Sequence, residues 1–212
     1  MSYLLPSIVI GVLALDTTIA FQILLSQPIF ACPILGWILG NPQLGFEIGL
    51  IMQLLWLHLL PVGSAIFPEG NIASMVICTI AISFSDLPYP NLVFAFAILI
   101  GILVSFGGAW LTVLDRKINE IFLKFAQKSA QKVKVGRIKL IEIQSIFIYF
   151  VMMTLLAFIS LLISDFALNF IKSLFSEPLE QKFVMIKPVI LGIGVMFTLV
   201  LIIDQLKKKL PD

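Results

Sequence analysis

Acidic and amide side chains occur inside apolar stretches of the first 90 residues. The candidates for ligand contact are Asp16, Gln22, Gln27, Gln53, His58, Glu69 and Asn71. A charged side chain at membrane depth costs at least about 2.5 kcal/mol on insertion scales, so such residues usually face a cavity or a partner. Carboxylates and amides can each bind two sugar hydroxyls. Because an anionic ligand would attract cations and no Lys or Arg precedes Arg116, the set favours an unphosphorylated sugar.

The same residues also have a purely structural interpretation. Each acid or amide could cap a helix end or hydrogen-bond to a neighbouring helix. His58 could transfer protons or accept a phosphoryl group, but a single histidine near a helix end more often packs at an interface. Glu47 fits a membrane interface and Asp86 fits a turn. The sequence contains no nucleotide loop, nucleophile elbow or metal motif, so neither catalysis nor a metal or other cofactor is expected.

The composition indicates that these residues lie in a protein surrounded mainly by lipid. Of the 212 residues, 60% are hydrophobic and 12% charged, and the mean hydropathy is +1.10. A hydrocarbon core roughly 30 Å thick needs about 20 apolar residues per helix, and no alternating strand pattern suggests a barrel. The sequence therefore predicts an all-α, polytopic membrane protein. Nucleic-acid binding is not expected, because the N-terminal half has no basic face.

The membrane region at residues 1–114 contains both long and short apolar runs. Leu4–Leu25 is long enough to span, whereas Pro28–Gly40, Leu44–Pro61 and Ile72–Phe84 are shorter or interrupted by Pro and Gly. Such pieces predict broken or re-entrant helices that line a cavity, as in many transporters. Asn91–Leu114 then predicts an uninterrupted span.

The region at residues 115–142 has eight basic residues against three acids, which predicts a cytoplasmic loop with an interfacial amphipathic helix. It could contact anionic lipid or dock a partner. Within residues 143–212, Ile143–Ser164 and Pro188–Ile203 predict two spans, with an external loop between them. The Lys207–Lys209 tail would then lie on the same cytoplasmic side as the basic loop.

A series of motifs resembles the N-terminal signature of the bacterial phosphotransferase IIC subunits of the mannose/fructose/sorbose family. The motifs are an apolar run from Pro28, Gly36-x-x-x-Gly40-Asn41, Gly45-x-x-x-Gly49 followed by Gln53, and the loop Pro61-Val-Gly-Ser-Ala-Ile-Phe-Pro-Glu69. The resemblance covers roughly residues 10–85. The two small-xxx-small repeats would also let two helix backbones approach closely.

The resemblance implies a multi-pass protein of the bacterial inner membrane that binds and translocates a hexose or hexosamine together with a IID subunit. Cytoplasmic IIA and IIB subunits would relay phosphate through histidines, with none phosphorylated in IIC, and an oligomer is expected. In this family Gln53 takes a position where many members have Glu, and Glu69 one where Asp is usual. Both are therefore candidates for sugar contact.

Two other functions are compatible with the sequence. A vitamin-capturing subunit of an energy-coupling transporter has similar size and hydropathy, and an ATPase partner would identify it. A non-transporting orphan or regulatory membrane subunit is favoured only by the short length. For such a subunit, replacing Gln53 or Glu69 would leave sugar binding unchanged.

Overall fold

A computed structural model of the protein describes residues 3–57 and 67–209, without the side chains of Thr18, Lys208 and Lys209. These residues form helices and no strands. The helices are α1 (Leu4–Thr18), α2 (Pro28–Leu39), α3 (Pro42–Trp56), α4 (Gly70–Ser83), α5 (Pro90–Gln131), α6 (Val135–Ile171), α7 (Glu177–Phe183) and α8 (Ile186–Lys209), with a 3-10 turn at Lys172–Leu174. The predicted all-α class is confirmed.

Helix α4 lies at the centre of the bundle. All of its residues from Ile72 to Ile82 are buried, and it packs against α1, α2, α3, α5 and α6. Among the described residues, α5, α6 and α8 are long and apolar enough to cross a membrane, by length and composition. The polytopic architecture thus combines long helices with a group of shorter ones.

The predicted interruption of the N-terminal half is confirmed. Helices α2, α3 and α4 contain 12, 15 and 14 residues. At 1.5 Å per residue they rise about 18–22 Å, which is less than the roughly 30 Å of hydrocarbon. The prediction of a single span over Leu4–Leu25 was wrong, because α1 ends at Thr18. Positive φ angles at Phe21, Gln22 and Leu24 then turn the chain back before α2. Residues 19–27 between the two helices are called the reversed segment below.

Helices α2 and α3 form a tight hairpin. Gly40 has φ 86° and ends α2 in the left-handed conformation, while the Asn41 side chain accepts a hydrogen bond from Leu44 N at 3.1 Å and caps α3. A Cβ atom at Gly45 would lie 2.6 Å from the Cys32 carbonyl oxygen, and one at Gly49 would lie 2.5 Å from that of Pro28. The backbones therefore approach as closely as the small-residue repeats predicted.

The basic segment is the tip of a long helical hairpin. Helix α5 has 42 residues and α6 has 37, so they rise about 63 and 55 Å, or roughly twice the hydrocarbon thickness. The expected separate interfacial helix is absent from the described residues. Instead α5 continues to Gln131 and the chain turns at residues 132–134 into α6. The expected external loop is likewise largely helical, through the end of α6 and through α7.

The short helix α7 caps the start of α5. Glu180 accepts hydrogen bonds from Asn91 N and Nδ2 at 2.9 and 2.7 Å, and from Leu92 N at 3.0 Å. The first N–H groups of a helix have no partner within the helix, and a carboxylate there also opposes the positive end of the helix dipole. Glu180 therefore fixes α7 against the N-terminus of α5.

Replacing Glu180 by Ala is expected to destabilise the protein by about 1–2 kcal/mol, because two backbone donors lose their acceptor. Thermal unfolding of the purified protein in detergent measures this effect. Glu177→Ala is the matched control, since Glu177 is exposed on the same short helix. Equal melting temperatures for the two variants would show that the Glu180 contacts contribute nothing.

Candidate functional site

Three interrupted helices have their ends in one region of the bundle. Gln27 precedes α2, Gln53 lies in the last turn of α3, and Glu69 precedes α4. The N-termini of α2 and α4 carry backbone N–H groups and the positive ends of two helix dipoles. In transporters such half-helix ends bind electronegative ligand atoms. The helix breaks thus place acids, amides and backbone donors together.

Asp16 organises the chain between α1 and α2. Its Oδ1 accepts a hydrogen bond from Ile23 N at 2.7 Å, and its Oδ2 accepts one from Ser26 N at 2.9 Å. The residue is only 5% exposed. Because both oxygens accept hydrogen bonds from the chain that follows α1, Asp16 explains why α1 stops at Thr18 and fixes the position of Ser26.

Gln53 connects α3 to the start of α2. Its Nε2 donates to Gln27 Oε1 at 3.1 Å, and its Oε1 accepts from Ile29 N at 3.3 Å. Both amide side chains remain partly exposed. An amide has two donor hydrogens and an oxygen with two lone pairs, so each glutamine retains hydrogen-bonding capacity for a ligand.

Asn71 joins this group from the first turn of α4. Its Nδ2 donates to Ser26 Oγ at 3.4 Å, and Ser26 N donates in turn to Asp16. The Trp56 ring lies over Gly70, where a Cβ atom would be 2.5 Å from Trp56 Cδ2. The start of α4 is thereby held between α3 and the reversed segment, with an aromatic wall beside the polar groups.

Glu69 links α4 to α5. Its backbone N donates to the Ser105 carbonyl at 2.9 Å, and its Oε1 accepts from Thr112 Oγ1 at 2.9 Å. A Cβ atom at Gly108 would lie 2.7 Å from Glu69 Cβ, so the glycine makes room for the acid. A carboxylate offers about four acceptor positions, and Thr112 occupies one of them. The carboxylate can therefore accept further hydrogen bonds.

The structure brings five of the candidates into this region: Asp16, Gln27, Gln53, Glu69 and Asn71. Gln22 lies in the reversed segment with an exposed side chain and φ 53°. His58 is outside the described residues. Sequence reasoning missed Ser26 and Thr112, because a hydroxyl group inside an apolar run gives little signal. Trp56, three residues after the motif that ends in Gln53, could have been included.

The described residues provide no cluster of His, Cys, Asp and Glu able to hold a metal ion. The two cysteines instead pack in the core. Cys32 Sγ donates to the Ser74 carbonyl at 3.6 Å, and Cys78 Sγ donates to the Cys32 carbonyl at 3.5 Å. The site is thus made of hydrogen-bonding oxygens and amides, a chemistry that suits hydroxylated ligands.

Comparison with protein families gives one match over nearly the whole chain. The family described as the PTS system sorbose-specific IIC component matches residues 1–208. A solved structure of a membrane protein superposes with a TM-score of 0.71 at 21% identity, covering 93% of this chain and 79% of the other. At that identity the likeness shows a common fold.

Several relatives match over part of their length. The PTS system sorbose-specific EIIC component of Klebsiella pneumoniae is 28% identical over 57% of this chain and 43% of its own. The fructose permease IIC component of Bacillus subtilis is 32% identical over 57% and 41%. The PTS system mannose-specific EIIC component of Escherichia coli K12 is 25% identical over 58% and 44%. The chain thus spans less than half the length of these relatives.

Proposed function

This chain belongs to the family of PTS sorbose-specific IIC components, and we propose that it is the membrane-embedded IIC permease subunit of a sugar phosphotransferase system. It binds a hexose or hexosamine and translocates it for phosphorylation by a IIB partner. The observation that carries this proposal is the convergence of Gln27, Gln53, Glu69 and Asn71 at the ends of interrupted helices. Uncharged amides and one carboxylate form a suitable contact set for a neutral polyol.

The sugar contacts are assigned to two sides of this region. The Gln27–Gln53 pair and Asn71 contribute from the α2–α3 hairpin and α4, and Glu69 contributes from the α4–α5 contact. Asp16 supports them by holding the reversed segment that carries Ser26. Gln22 and His58 stay in the proposal as further polar residues that contact the sugar during translocation. Gln22 is included because it lies in the same segment as Ser26.

The orientation follows from the basic residues. Lys128, Lys132, Lys134 and Arg137 line a cavity of about 450 Å³ at the tip of the α5–α6 hairpin, and Lys207–Lys209 end α8. Cations concentrate on the cytoplasmic side of membrane proteins. The proposal therefore puts the hairpin tip in the bacterial cytoplasm and makes the chain a multi-pass protein of the inner membrane.

The partners of this system are a IID membrane subunit and the cytoplasmic IIA and IIB subunits. Helix α8 contacts α3 but leaves large apolar side chains exposed, among them Val189, Met196 and Leu199. Such a face needs lipid or another membrane helix, which supports a IID contact or an oligomer. The phosphoryl group is carried by IIA and IIB, and this chain acts as the translocation subunit without a phosphorylated residue of its own.

The proposal is tested in cells that express the chain together with IID, IIA and IIB subunits of a mannose/fructose/sorbose-type phosphotransferase system. Uptake and phosphorylation of radiolabelled mannose, fructose and sorbose are expected, together with co-purification of a IID subunit. Labelled phosphate should appear on IIA and IIB and not on this chain. The absence of uptake for any hexose or hexosamine would end the proposal, and an ATPase partner would favour an energy-coupled transporter.

A further inference from the structure

A cavity with both polar and apolar lining residues lies at the end of the bundle opposite the basic hairpin. It has a volume of about 350 Å³, at the small end of the roughly 300–1,000 Å³ range of ligand pockets. The tip of the α2–α3 hairpin, the end of α4 and the starts of α5 and α8 surround it. The lining residues that could bind a ligand are Asn41, Gln43, Glu47, Ser85, Phe94 and Lys187.

An ion pair stands at the side of this cavity. Lys187 Nζ lies 2.8 Å from Glu47 Oε1 and 5.7 Å from the centre of the Phe94 ring. The Lys187 side chain is 21% exposed and that of Glu47 is 48% exposed. Lys187 is partly buried, but solvent reaches the exposed Glu47 carboxylate and screens the pair, and screened pairs contribute roughly 0–1 kcal/mol to stability. Stability therefore gives no strong reason for a charged pair at this position.

The position of Lys187 in its helix is a second argument against a purely structural role for the ion pair. Lys187 is the second residue of α8, where the positive end of the helix dipole disfavours a cation. The pair also places an ammonium donor next to a carboxylate acceptor. Two neighbouring sugar hydroxyls can complement this arrangement, since one accepts from the ammonium group while the other donates to the carboxylate. The opposite charges disfavour a simple anion or cation as ligand.

We infer that this cavity is an outer capture site for a neutral sugar, in which Lys187 and Glu47 bind two adjacent hydroxyls. The sugar then moves to the group formed by Gln27, Gln53, Glu69 and Asn71, which we call the inner site. The inference rests on the proposed function and adds a second binding position on the same route. Helix α3 carries Glu47 at the outer position and Gln53 at the inner site, and the two residues are about 9 Å apart along the helix axis. Phe94 adds an aromatic ring to the lining of the outer position.

The test uses uptake kinetics in cells that contain the complete transporter, with radiolabelled mannose, fructose and sorbose as probes. Glu47→Gln and Lys187→Met are each expected to raise the KM for uptake by about three- to tenfold with little change in kcat, because only the first encounter is weakened. Glu177→Gln is the matched control, since Glu177 is an exposed carboxylate on α7 that does not line this cavity. Its KM should stay at the wild-type value.

Monodeoxy sugars separate ligand contact from structure. Each single variant is compared with the wild type on a series of deoxy analogues. For the analogue that lacks the hydroxyl bound by the replaced residue, the ratio of variant KM to wild-type KM should fall toward one. A structural defect would give the same ratio for every sugar. The double variant Glu47→Met with Lys187→Met preserves side-chain length and should show the raised KM.

Three results would overturn the inference. The first is an unchanged KM in the double variant. The second is a loss of assembled complex in place of a KM change, which would make the cavity a subunit contact. The third is a wild-type complex that takes up no sugar, and this result alone also removes the proposed function.

Discussion

Replacing Glu69 by Gln will weaken equilibrium sugar binding by about 10- to 100-fold. The carboxylate sits where α4 begins, accepts a hydrogen bond from Thr112, and retains acceptor positions for a ligand. A hydrogen bond to a charged group contributes about 1.5–3 kcal/mol, and each 1.4 kcal/mol changes the affinity tenfold. The amide keeps the shape of the side chain but loses the charge. Calorimetric titration of the purified complex with hexoses measures the loss.

Asp86→Asn is the control for this experiment, because Asp86 is an exposed carboxylate in the turn between α4 and α5. It should bind sugar as the wild type does. Melting temperatures of both variants separate binding from folding. If the Glu69 variant melts at a lower temperature yet binds hexose with wild-type affinity, the acid only joins α4 to α5 and must be removed from the sugar site.

The second large effect is expected from Gly49→Ala, which adds a single methyl group. Its Cβ would lie 2.5 Å from the Pro28 carbonyl oxygen and 3.2 Å from Cys32 Cβ. A backbone atom cannot rotate away as a side chain can, so α3 must move off α2. Overpacking of this kind costs typically 1–3 kcal/mol, and the rigid backbone contact puts the expected cost at about 3 kcal/mol. Thermal unfolding in detergent measures it.

Gly192→Ala provides the matched comparison, since no atom lies within 4 Å of a Cβ added at that position in α8. It should be neutral or slightly stabilising, because Ala favours helix by up to about 1 kcal/mol over Gly. The Gly49 variant should also lose sugar binding, because Gln53 is one helical turn away and would be pulled from Gln27. Equal stability of the two variants would mean that the hairpin backbones are not in tight contact.

Much of the N-terminal architecture could be predicted from local chemistry. Pro28, Gly40 and Pro42 mark helix ends through fixed φ or a left-handed conformation, and the structure has helix boundaries at or beside them. The early end of α1 could not be predicted in this way. It depends on Asp16 accepting hydrogen bonds from residues seven and ten positions later, and a hydropathy pattern carries no information about such contacts.

The length of α5 shows a second reason why hydropathy alone did not predict the helix boundaries. Hydropathy falls at Asp115, and the sequence therefore predicted the end of a span. Hydropathy reports the surrounding solvent, however, whereas Lys, Gln, Glu and Ala in the following segment all favour helix. The helix accordingly leaves the apolar region and continues to Gln131. The contact between Gln27 and Gln53 follows more directly from the sequence, because polar groups inside apolar segments hydrogen-bond to one another.

The extended hairpin has a mechanical consequence for the inner site. Helix α5 touches Glu69 at Gly108 and Thr112 and then continues as a single rod for another 19 residues, about 28 Å along its axis. A sideways push on the far end of a stiff rod rotates the whole rod about the point where it is packed. In the proposed orientation, a cytoplasmic protein bound to the hairpin tip would turn α5 against the Glu69 carboxylate and change the contacts available to a ligand there.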